Sequence, residues 1–132
     1  MDRIKDILEK TDYYSLCDKF DELDTKFIRR IINDKKYNND VFMLTVRIML
    51  MISELEDEEV VENTFNRIMS IDNNYIPAYL EFASYCIYVA EDIFKGQMLC
   101  EKILDQGKIY DYIKNTFFYL KPLSQANVLL VI

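Results

Sequence analysis

The 132-residue sequence contains no histidine, two glycines, two prolines and three cysteines. Losing histidine removes the commonest general base, the usual nucleophile triads and most transition-metal sites. Four glycines and prolines together give few places for tight hairpins, so long helices with polar connectors are the expected fold rather than sheets. No glycine-rich phosphate loop is present. Cys17, Cys86 and Cys100 lack metal-ligand spacing, and an odd, sparse set of thiols reads as reduced, which points to the cytoplasm or the nucleus. The first residues, Met-Asp-Arg-Ile-Lys-Asp, carry no apolar signal core. The strongest apolar run, 41–52, is broken by Arg47 and is too short to span a bilayer, as is 126–132. These absences lead to the expectation of a protein that is no enzyme and needs no cofactor and no metal.

What is present suits a single domain, with 51% hydrophobic and 30% charged residues. The net charge of −7 is uneven: residues 41–76 hold 7 acidic and only 2 basic side chains, whereas 1–40 and 77–132 are each close to balance. A negative field repels a phosphate backbone and favours basic or apolar protein surfaces, so free nucleic-acid binding is disfavoured. Four consecutive acids, Glu56 to Glu59, suit the positive first turn of a helix. They do not make a metal site, because consecutive helical residues point in different directions.

Hydrophobic periodicity predicts a series of helices. Residues 2–10 form a first helix through Ile4, Ile7 and Leu8, and Thr11 is placed to cap a second through Leu16 and Phe20. Asp24 or Thr25 caps a third with Ile28, Ile31 and Ile32, and a loop follows at 35–39. Asp40 caps a helix over 41–55 whose buried face is Met43, Leu44, Ile48, Met51, Ile52 and Leu55. Its partner runs to Ile71 with Val60, Val61, Phe65, Ile68 and Met69 inward, before the break at Asp72-Asn73-Asn74. Residues 76–90 form the next helix, with Pro77 in the first turn and Phe82, Ala83, Cys86 and Ala90 facing the core. Glu91 and Asp92 open a further helix that reaches Leu104 and is stopped near Gly107. Ile109–Leu120 is one more, ended by Pro122. Short connections make neighbours antiparallel, so the expected architecture is all-α, a stack of antiparallel helical hairpins in one domain.

A repeat is visible within this series. Stepping by 34 residues maps Ile48 onto Phe82, Met49 onto Ala83, Ile52 onto Cys86 and Phe65 onto Leu99. One inserted residue places Gly96, Cys100 and Ile103 at small and large positions of the second hairpin. With Phe65, Ile68 and Met69, then Asp72-Asn73-Asn74, then Ala78-Tyr79, Phe82 and Ala83, the stretch 64–86 resembles the junction between two tetratricopeptide (TPR) repeats. The resemblance covers about 41–107, with 1–40 as N-terminal helices and 108–132 as a C-terminal helix and apolar tail. Met49 stands where a small residue is usual, Asn73 where proline is usual, and the turns lack the expected glycines.

The resemblance implies a TPR-like short α-solenoid whose first helices line a groove for a peptide or a partner helix. By position, that groove holds Met43, Val46, Arg47, Leu50 and Glu54 from the first unit. The second unit adds Leu80, Glu81, Ser84, Ile87 and Tyr88, with Arg47, Glu81 and Tyr88 as polar anchors. The alternative is that these apolar residues pack on the terminal helices and leave no open groove. Val46, Leu50 and Glu81 stand where chaperone-binding members carry a carboxylate clamp, which disfavours that subtype. Val128, Leu129, Leu130, Val131 and Ile132 form a second candidate surface, a docking tail, unless they fold back on the last hairpin. The resulting expectation is a non-catalytic adaptor or small subunit of a larger complex. One alternative is a ribonucleoprotein- or ribosome-associated factor using the cluster Lys26, Arg29, Arg30, Lys35 and Lys36. Another is a homo-oligomeric structural protein.

Overall fold

The computed structural model describes the backbone of residues 2–105 and the side chains of residues 3–102. The helix expected at 109–120, the stop at Gly107 and the tail Val128–Ile132 lie outside the described residues. Within them the chain is all-α, with seven helices and no strand. These are α1 (Asp2–Lys10), α2 (Tyr13–Lys19), α3 (Thr25–Ile32), α4 (Val41–Ser53), α5 (Glu58–Ile71), α6 (Ile76–Tyr88) and α7 (Ile93–Asp105).

Aspartate caps set the starts of four helices, α7 included, where Asp92 accepts from the backbone N–H of Lys95 at 3.1 Å. The side chains of Asp12, Asp24 and Asp40 accept from the backbone N–H of Ser15 (2.8 Å), Lys26 (2.9 Å) and Met43 (3.1 Å). Each satisfies an N–H that the helix itself leaves unpaired. Asp12, not Thr11, caps α2, because α2 begins at Tyr13 and puts Ser15 three residues past Asp12. The connector at 35–39 contains a 3-10 turn, Lys35–Tyr37, in which Tyr37 is buried and its hydroxyl donates to Glu9 Oε1 at 2.6 Å. That bond ties the connector to α1.

Two helices are apolar nearly all round and therefore sit inside. In α4, Met43 to Val46 and Ile48 to Leu50 are buried. The one buried hydroxyl among them, on Thr45, donates to Val41 O at 2.7 Å. In α6 only Glu81, Ser84 and Tyr88 escape burial, and this helix packs against α4, α5 and α7. Phe65 of α5 stacks edge-on against Tyr79 (5.3 Å between centroids) and lies 4.7 Å from Phe82. Such aromatic pairs contribute about 0.5–1.5 kcal/mol beyond the area they bury.

α4 stops two residues short of Leu55. Glu56 N–H donates to Met51 O and Leu55 N–H to Ile52 O, a Schellman closure with Leu55 in the left-handed region at φ 54°. Leu55, expected in the core, is thereby turned out and is 71% exposed. Val60, also expected inward, is exposed, and Val61 takes the core position. α6 and α7 cross where Gly96 faces Ala83. A Cβ on Gly96 would come within 2.4 Å of Ile87 Cγ1 and 3.1 Å of Ala83 O. Only glycine fits that approach without displacing a neighbour.

Candidate functional site

The floor of the expected groove is a buried layer. Met43, Val46, Leu50, Leu80 and Ile87 are each at most 5% exposed. Four of them belong to the main core with Leu8, Leu16, Ile28 and Ile32 from the N-terminal helices. Ile87 instead faces α7, clustering with Ala83 and Cys100. Helix α3 packs on α4 and α1 packs on α3, which accounts for the closure.

The polar groove residues meet the N-terminal helices too. Arg47 is half-buried and its Nη2 donates to Ile32 O at 2.9 Å. Glu54 is exposed and paired with Arg29. Glu81 is half-buried and accepts from the Tyr13 hydroxyl at 2.5 Å. Burial pushes its carboxyl up to about 7, against which the Tyr13 hydrogen bond acts in the lowering direction. Ser84 is half-buried, and Tyr88 is exposed at the end of α6. Arg47 and Glu81 are therefore not joint anchors of one groove. Arg47 faces the Ile32 carbonyl of α3, and Glu81 faces α2.

Arg47 also lines a cavity of about 420 Å³ between α4 and α5, with Asn38, Leu44, Asn63, Thr64 and Arg67. Arg67 Nε donates to Asn38 O at 2.9 Å and Arg67 Nη2 to Asn39 Oδ1 at 3.0 Å. Arg47 Nε is buried and has no hydrogen-bond partner among the described residues. Burial, and then the like charge of Arg67, lowers the pKa of the Arg47 guanidinium. No carboxylate is among the described residues lining this cavity. Sequence reasoning missed Asn38, Asn63 and Arg67. The available signal was that Arg47 and Arg67 are the two basic residues of the most acidic segment.

Other chemistry is more nearly neutralised. Lys95 Nζ bridges Glu58 (3.2 Å) and Glu62 (3.3 Å), tying the acidic start of α5 to α7. In the basic cluster, Arg29 pairs with Glu54, Lys36 lies 3.7 Å from Glu9, and Arg30 lies over the Phe27 ring. Lys26 and Lys35 are exposed. Burial pushes the thiols of Cys86 and Cys100 up to about 12 and about 11, which suits packing rather than nucleophilic chemistry. Two large apolar side chains stand out on α7: Phe94 is 62% and Met98 54% exposed, one turn apart. No described helix is long and apolar enough to cross a membrane. No protein-family model, curated protein or solved structure matches this chain.

Proposed function

We propose that the protein is a non-catalytic interaction module, an adaptor or small subunit, built on a TPR-like pair of helical hairpins. The observation that carries this reading is the stripe formed by Phe94 and Met98. Gly96 fixes the α7 face that meets α6, and residues two positions away on either side point to the opposite face. Two large apolar groups are thus held outward on a rigid helix, an arrangement suited to anchoring a partner. Glu91 and Asp92 at the start of α7 and Glu101 nearer its end are exposed, which favours an apolar partner segment flanked by basic residues. The buried floor of α4 and α6 moves the proposed contact from the groove to this outer face.

The test is affinity isolation of the full chain from its native cells, beside the double variant Phe94→Glu, Met98→Glu. The reading expects one partner at fixed stoichiometry with the wild type and its loss with the variant. A monomer that brings down nothing in either form contradicts it.

A ribonucleoprotein-associated role comes second. Its support is a small cavity of about 150 Å³ lined by Lys5, Arg30 and Lys36 together with Asp34. The carboxylate of Asp34 in the lining and that of Glu9, 3.7 Å from Lys36, weaken their pull on a phosphate backbone. Sedimentation at low and high salt tests it: absence from ribosomal fractions at both ends the idea.

A further inference from the structure

We infer that the cavity between α4 and α5 is a binding site for a phosphate-class oxyanion, held by Arg47 and Arg67. The inference stands independently of the partner-binding reading.

Two guanidinium groups line one cavity in the most acidic part of a chain of net charge −7. Arginine stays protonated even when burial and a like charge oppose it, so both positive charges persist. Of the acids near them in sequence, Glu54 pairs with Arg29, Glu58 and Glu62 pair with Lys95, and Asp72 accepts from Asn74 N–H. Asp40 caps Met43. Among the described residues, the hydrogen-bond acceptors of both arginines are uncharged oxygens: Ile32 O, Asn38 O and Asn39 Oδ1. These bonds hold the forks in place, and neither guanidinium has an ion pair among the described residues.

Geometry points the same way. Arg47 Nε is a buried donor without a partner, and leaving such a donor unsatisfied costs about 1–3 kcal/mol. Asn38 and Asn63 add neutral amide donors to the lining. Thr64 adds none, because its hydroxyl proton goes to Val60 O at 3.0 Å. The cavity thus presents two planar forks and two amides, and its remaining side chain, Leu44, is apolar.

This set suits a phosphate dianion better than a carboxylate. A dianion compensates both guanidinium charges, and its tetrahedral oxygens accept from two forks at once, whereas one carboxylate offers two oxygens and a single charge. A nucleic-acid backbone is disfavoured, because a chain of net charge −7 repels a polyanion more than a single phosphate group. The ligand is therefore a single phosphate group, either free or as a monoester.

The test uses the full chain at constant ionic strength and pH 7.5, titrated with inorganic phosphate, with phosphoserine and with acetate. Binding is read by calorimetry and by NMR of the arginine Nε–H signals. The expected result is one saturable site for phosphate or phosphoserine, shifts at Arg47 and Arg67, and acetate weaker by about tenfold or more. Tighter binding of phosphoserine assigns the site to a monoester, and tighter binding of phosphate to the free ion. Two variants separate loss of the site from loss of the fold. Arg67→Gln removes one fork. Asn63→Asp places a carboxylate in the cavity from an exposed position on α5 and leaves both arginines intact. Each is expected to weaken phosphate binding by about tenfold or more, with an unchanged helical circular dichroism spectrum for Asn63→Asp. Absence of saturable binding, equal affinity for acetate, or full binding by Asn63→Asp would overturn the assignment. The last result would move the anion to the Lys5, Arg30 and Lys36 side.

Discussion

Arg47 and Glu81 occupy the same place in the two hairpins, 34 residues apart, and meet opposite surroundings. Arg47 opens on a polar cavity beside a second arginine. Glu81 is pressed against α2, its carboxyl held by the neutral hydroxyl of Tyr13. The crossings differ as well. Between α6 and α7, Gly96 meets Ala83 with no room for a methyl group, whereas the position matching Ala83 in α4 is Met49. A repeated hydrophobic pattern thus specifies the helix pair, and the residues at a few matched positions decide whether it becomes tight scaffold or borders a cavity.

The largest effect is expected from exchanging those crossing residues. Met49 is buried, so Met49→Ala removes three heavy atoms from a packed layer and should cost about 2–5 kcal/mol by urea unfolding. If instead it is neutral, the first crossing is as adaptable as a surface and the contrast between hairpins collapses.

Next comes the pH dependence that Glu81 imposes. Its carboxyl is raised from an ordinary 4.5 to about 7 in the folded chain, so the folded state holds this proton more tightly than the unfolded state. The stability it contributes is full below about pH 4.5 and is lost as pH rises through about 7. Discounted for the residue's remaining exposure, the loss should be about 1–3 kcal/mol. Glu81→Gln should remove this component, read as unfolding midpoints at pH 5 and pH 8. A wild-type slope equal to that of the variant would place Glu81 in water.

Gly96→Ala should cost about 1–3 kcal/mol, because the new methyl must displace Ile87 and crowd the Ala83 carbonyl. A stabilised variant would mean that α6 and α7 separate easily. The smallest effect is at the turn of the first hairpin. Leu55→Gly should gain about 0.5–1 kcal/mol, since a left-handed backbone penalises a side chain that is mostly exposed and buries little. Thermal unfolding checks this, and a loss of stability would show that Leu55 packs on something.

Much of this fold is legible in the sequence. Asp24, Asp40 and Pro77 mark helix starts, and the apolar spacing of α4 to α6 fixes their lengths to within two residues. Leu55 is not legible, because leucine carries no signal for a left-handed backbone. The burial of the groove floor is hidden from the sequence for a different reason. Position within a repeat says which way Val46 and Leu80 point, but not that the N-terminal helices lie over them. The nearly unbroken apolar run of α4 was the hint, since a helix with an open groove face needs a polar side. Arg67 looks like an ordinary solvated residue on α5 until packing brings it beside Arg47.

In the proposed function, the chain binds a protein through the outer face of α7, with its core helices already closed. Hydrogen exchange on the complex recovered by affinity isolation, compared with the free chain, tests this most directly. The account predicts slowed exchange in 93–105 around Phe94 and Met98, with α4 unchanged. Slowing confined to α4 and the interior face of α6, together with faster exchange in α1 to α3, would contradict it, because the partner would then be displacing the N-terminal helices from a true groove.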